Sequence, residues 1–174
     1  MDTLLKLGQQ RLVAYFASLG PLAEAEAQAI ADSVVHKTFP KGATLLSAGE
    51  VCRACYFVVS GCVRQYYLVE GEERTSAFFT DGHWVISLES FVQQRPAEHF
   101  LVCAAETTLV VGDAQREAAL YRAFPRFESL SRLVLQRILA DEQKRTADYL
   151  TDTPEQRYLK LQKSRPELLQ QVPQ

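Results

Sequence analysis

The chain has 174 residues, 47% of them hydrophobic, with a formal net charge of -2. That length suits one domain plus an appendage, the apolar content can fill a core, and the charge gives no basic footprint for nucleic acid over the chain as a whole. No apolar run approaches the ~20 residues needed to span a bilayer and the N-terminus lacks the apolar core of a secretion signal, so a cytoplasmic protein with no membrane partner is expected. Outside a secretory context, its four cysteines read as reduced thiols rather than a disulfide frame.

Residues 4–19 and 22–35 read as two helices, with Gly20-Pro21 breaking the first and starting the second. From Thr38 to about Gly112 the pattern changes to strands. Glycines at 42, 49, 61, 71 and 82 mark off short runs rich in β-branched, aromatic and Cys residues, among them Tyr56 to Ser60 and Val63 to Val69. Glu70-Gly71-Glu72 then forms a hairpin tip, and Thr107 to Val111 a last strand. Asp113 is a good N-cap for a short helix to about Arg122, and Pro125 restarts the chain into a helix running to about Leu150.

The apolar residues of that last helix, from Phe127 through Leu133 to Leu150, spread over roughly half its circumference, wider than the ~100° stripe of a helix with one buried face. One face can lie on the chain's own barrel while another pairs with a second copy, so a homodimer through residues 126 to 150 is expected. Its interface would use Leu130, Val134, Leu135, Ile138 and Leu139. Beyond it, Thr151-Asp152-Thr153-Pro154-Glu155 has the chemistry of a helix start. The new helix carries Tyr158, Leu159 and Leu161 with nothing downstream to cover them, as though the sequence stopped inside a second domain.

Three stretches, Phe39 to Gly49, Tyr56 to Arg64 and Glu70 to Thr75, resemble the cyclic-nucleotide-binding jelly roll of the Crp/Fnr family of bacterial transcription regulators. The long helix and the segment from Thr153 to Leu161 continue the likeness, which covers essentially the whole chain. It implies a mainly β fold with flanking helices: a double-stranded β-helix (jelly-roll) barrel over 1–123, a dimerisation helix over 124–151, and over 152–174 the start of a winged helix-turn-helix. DNA would be reached through a C-terminal domain missing from this chain. The function implied is the effector-sensing and dimerising part of a DNA-binding regulator. The alternative is a stand-alone ligand-binding or interaction module.

Cyclic-nucleotide binders of the family close the barrel with a phosphate cassette, a Gly-Glu pair followed by a short helix and then Arg-Ser or Arg-Thr. An arginine fork and backbone N–H groups match a cyclic phosphate in geometry and charge. Aligned through Gly82 and the Val102, Ala104 and Glu106 pattern, the Gly-Glu pair falls on Ile86-Ser87, next to Leu88, and the Arg-Ser pair on Glu98-His99. The charge has changed sign: a carboxylate at contact distance from a phosphate repels it by several kcal/mol, which disfavours cyclic AMP. Arg95 is the nearest cation.

The resemblance also implies that Glu142 and Gln143, on the dimer helix, reach toward a ligand; a polar seam residue that fixes register is the plainer reading. His99 reads first as a loop histidine, and Trp84, Tyr66 and Tyr67 as barrel aromatics. Cys52 and Cys55 have a C-x-x-C spacing, with Cys62 seven residues on, but if Cys55 lies in the following strand the two thiols point apart and serve as small apolar packing. The histidines at 36, 83 and 99 do not form the clustered pattern by which cupin enzymes hold a metal. No catalytic constellation is present, so no enzyme activity, metal or cofactor is expected.

Overall fold

The computed structural model describes residues 2–112, 114–153, 155, 156 and 159. They divide into two units, Met1–Pro125 and Arg126–Gln174. The first contains α1 (Asp2–Ala17), α2 (Glu24–Ser33), eight strands with a short helix among them, and α4 (Ala114–Ala123). The strands are β1 (His36–Phe39), β2 (Thr44–Leu46), β3 (Tyr56–Ser60), β4 (Val63–Val69), β5 (Glu72–Phe79), β6 (Trp84–Val85), β7 (Phe100–Cys103) and β8 (Thr107–Val111), with α3 (Leu88–Gln93) between β6 and β7. They form two four-stranded antiparallel sheets, in the orders β1-β8-β3-β6 and β2-β7-β4-β5. This is the expected jelly roll.

β3 is a continuous apolar run because both of its faces are covered. Phe57, Val58 and Val59 are all buried. Tyr15 of α1 meets the ring of Phe57 at 5.6 Å, and a methyl group on Gly8 would come within 3.4 Å of the Val59 side chain. Gly8, Leu12 and Phe16 thus form the stripe by which α1 lies on the first sheet. Arg11 ties it down: its guanidinium donates to the Val59 carbonyl and pairs with Asp81 at 2.7 Å, and Asp81 in turn accepts the Gly61 N–H at 3.1 Å.

Two glycines are required. A Cβ on Gly61, where φ is +103°, would lie 2.5 Å from the Glu106 carbonyl oxygen and 2.7 Å from Thr107 Cα, so no side chain fits. At the β4–β5 tip, Glu70 and Gly71 both have positive φ, 56° and 85°, the combination that matches a two-residue turn to the twist of its strands.

Element limits differ from the sequence expectation in places. The second helix starts at Glu24, not at Leu22, because the Glu26 carboxylate accepts the Ala23 N–H at 2.9 Å and fixes the first turn there. It ends at Ser33, since Val35 already pairs, its carbonyl accepting the Val111 N–H at 2.8 Å. The expected cap at Asp113 and the helix carrying Tyr158 and Leu161 lie outside the described residues.

In the second unit, α5 runs over Arg126–Thr151, 26 residues. Phe127, Leu130 and Val134 are buried, whereas Leu133, Leu135, Leu139, Tyr149 and Leu150 are exposed.

Candidate functional site

The segment between β6 and β7 is a helical loop with a firm backbone. Ile86 and Ser87 are buried and Leu88 opens α3. The Ser90 hydroxyl accepts the Cys52 N–H at 2.9 Å and donates to the Arg95 carbonyl at 2.5 Å. Gly49 donates its N–H to the Ala97 carbonyl and Ala97 to that of Glu50, both at 2.8 Å. Gln94 closes α3 in the left-handed region at φ 52°. The loop returns through Glu98, which is exposed, to His99, which is half-buried. Ile86, Ser87 and Leu88 therefore sit at the start of α3, and Glu98 and His99 at the foot of β7.

The strand register decides which residues face inward. Val63, Gln65, Ala77, Phe79, Leu101 and Cys103 are buried, and they pair as Val63 with Phe79 and Cys103, and Gln65 with Ala77 and Leu101. The alternating residues form an outer face: Tyr66 stacks on Phe100 at 4.9 Å, and Arg64 lies over Tyr66 at 4.4 Å while pairing with Glu73. Continuing the alternation along β4 returns Tyr67 to the inner side, where it meets the His99 ring at 5.4 Å. Its partner on β5 is Arg74.

Sequence reading misses that arginine because a bulge follows it in β5. Gln65 pairs with Ala77 and Tyr66 with Thr75, so Ser76 is an extra residue in β5. The Gln65 amide donates to the Ser76 hydroxyl at 3.1 Å, and that hydroxyl lies 3.4 Å from the Gln65 carbonyl. Counting by twos from Ala77 puts Thr75 and Glu73 on its side of the sheet; the bulge reverses this and puts Arg74, which is exposed, on that side instead. The only sequence signal is a polar Gln65 opposite the hydroxyl-rich Thr75-Ser76 pair.

The remaining candidates scatter. Cys52 is buried with its thiol 3.3 Å from the Ala54 carbonyl, and Cys55, immediately before β3, accepts the Gly112 N–H on its own carbonyl at 2.8 Å. Loss of hydration pushes the Cys55 thiol up to about 12, aided by the nearby Glu117 carboxylate. Such a thiol stays protonated and unreactive at neutral pH. Among the described residues no group of three His, Cys, Asp or Glu side chains could hold a metal. Trp84 belongs to an aromatic cluster with Tyr15, Phe16 and Phe57. Within α5, Glu142 pairs with Arg145 and Gln143 is exposed. Of the expected interface residues, Leu130 and Val134 are already buried in the single chain, Ile138 is half-buried, and Leu135 and Leu139 are exposed.

Residues 36–123 match the model of the cyclic nucleotide-binding domain family. No curated protein matches the chain. Among solved structures, the chain is similar to a cyclic nucleotide-binding domain from Methylobacillus flagellatus KT, with a TM-score of 0.71 at 14% identity over 81% of each chain. It is similar to the Thermus thermophilus catabolite activator protein, with a TM-score of 0.58 at 24% identity over 75% of this chain and 61% of that one. The N-terminal domain of a transcriptional regulator from Streptomyces coelicolor A3(2) aligns with a TM-score of 0.54 at 18% identity, over 77% of this chain and 90% of that one.

Proposed function

The chain belongs to the cyclic nucleotide-binding domain family, and we propose that it is the effector-sensing and dimerising portion of a Crp/Fnr-like transcription regulator, with cyclic AMP disfavoured as effector. Residues 1–123 act as the sensor, 124–151 as the dimer helix and 152–174 as the start of the DNA-reading domain. The observation that carries this reading is the split character of α5. Its buried stripe of Phe127, Leu130 and Val134 leaves Leu135 and Leu139 exposed on a neighbouring face, and two exposed leucines one turn apart gain from a second copy of the same helix. The likeness to the catabolite activator protein and to the Streptomyces regulator domain supports the same assignment.

In this reading an effector inside the barrel favours one arrangement of the paired helices, and that arrangement sets the spacing of two DNA-reading heads. Leu139→Glu tests it, because a carboxylate at the seam of both protomers is repelled and desolvated together. The variant is expected to sediment as a monomer while the wild type sediments as a dimer, with the far-ultraviolet spectrum unchanged. A variant that stays dimeric, or a wild type that is monomeric at tens of micromolar, overturns the assignment.

A further inference from the structure

We propose that the inner face of the β4–β5 hairpin carries an anion-recognition site centred on Arg74, which takes the acidic group of a small organic effector that the altered cassette does not hold. The inference rests on the reading of the barrel as an effector sensor and names the chemistry of what it senses. Its starting point is the register: Arg74 stands opposite Tyr67, on the side of the sheet that carries the buried Gln65, Ala77 and Leu101. His99, against Tyr67 at 5.4 Å, borders the same place from β7.

The two arginines of this hairpin are used differently. Arg64, on the outer face, is occupied by Glu73 and by the ring of Tyr66. Arg74, on the Tyr67 side, is exposed, and its side chain makes no ion pair or hydrogen bond among the described residues. Glu72, the other charge on that face, stands two residues nearer the tip, opposite Val69, and makes no ion pair with Arg74. An exposed guanidinium opposite a tyrosine on an open sheet face is matched by a planar carboxylate or by a phosphate, either of which it can grip through two parallel N–H donors. The bulge at Ser76, tied by Gln65, holds this register.

The 174-residue chain is titrated with citrate, with inorganic phosphate and with cyclic AMP at ionic strength held constant by sodium chloride. Melting temperature and the fluorescence of Trp84, the one tryptophan, are read together. Citrate or phosphate is expected to raise the melting temperature of the wild type and of Arg64→Gln, and to act about tenfold or more weakly on Arg74→Gln, with Arg74→Lys between them. Response to citrate alone marks a carboxylate effector, and response to phosphate alone a phosphorylated one. A wild type that responds to neither, or Arg74→Gln and Arg64→Gln that respond alike, overturns the site. Cyclic AMP binding without any anion response likewise overturns the Arg74 site while leaving the sensor reading standing. An anion response confined to Arg74, in a protein that ignores DNA even when extended past Gln174 by a helix-turn-helix, supports the site and sinks the regulator reading.

Discussion

Ser87 and Glu98 carry the electrostatic case against a cyclic phosphate, and their surroundings differ. Ser87 is 3% exposed, whereas Glu98 faces solvent. Glu98→Arg is therefore a mild substitution, but Ser87→Glu buries a carboxylate that is costly until something pairs with it. Alone, Ser87→Glu is expected to lower the melting temperature; with Glu98→Arg, cyclic AMP is expected to recover part of that loss and to bind at least tenfold better than to the wild type in calorimetry. Micromolar binding of cyclic AMP by the wild type would sink the argument, and a double variant that still fails to bind would mean the loop has lost its shape as well as its charge. Cys55 gives a prediction in the alkaline range. Its thiol is pushed from 9.0 to about 12 in the folded chain, so the unfolded chain releases the proton first. The stabilising contribution is complete below about pH 9 and is lost as the pH rises toward 12. Cys55→Ala is expected to flatten the fall in melting temperature between pH 9 and 11. An unchanged slope counts against it.

Among the elements, those set by local chemistry were legible in the sequence. The Glu70-Gly71 tip, the strand pairs on either side of Gly61 and the restart after Pro125 stand where turn residues and apolar runs put them. What failed to show was anything decided by a partner far along the chain. The bulge at Ser76 depends on the register that β4 imposes, so period-two counting from Ala77 does not give the face of Arg74. Likewise the breadth of the apolar arc of α5 implied two surfaces without saying which residues belong to each, and burial separates Leu130 and Val134 from Leu135 and Leu139. Of the candidate site, the buried pair Ile86-Ser87 and the exposed Glu98 could be located through a resemblance, but no periodicity pointed to Tyr67 or Arg74. The hairpin tip offers a direct test of the turn argument. Glu70 occupies a left-handed conformation that costs a non-glycine residue about 1 kcal/mol or more and that asparagine tolerates best. Glu70→Asn is expected to stabilise the chain by about 0.5–1 kcal/mol in urea unfolding with the slope unchanged, and a loss of stability would contradict the turn assignment.

For the molecule as a whole, a net charge of -2 gives phosphate backbones little to attract them. The 174-residue chain is expected to show no specific DNA affinity, and a product extended past Gln174 by a helix-turn-helix to acquire it, with gel-shift titration at fixed salt as the measure. Nanomolar operator binding by the shorter chain would overturn this. Association of another kind is open to β5, an edge strand of its sheet. Eight residues of extended backbone with one side unclaimed by any described strand form a template on which a second molecule's strand could add, the step from which fibrils grow. Three successive charges, Glu72, Glu73 and Arg74, and the kink at Ser76 make such an addition costly along most of its length. The charges and the kink that set Arg74 opposite Tyr67 also hinder neighbouring molecules from joining the sheet there.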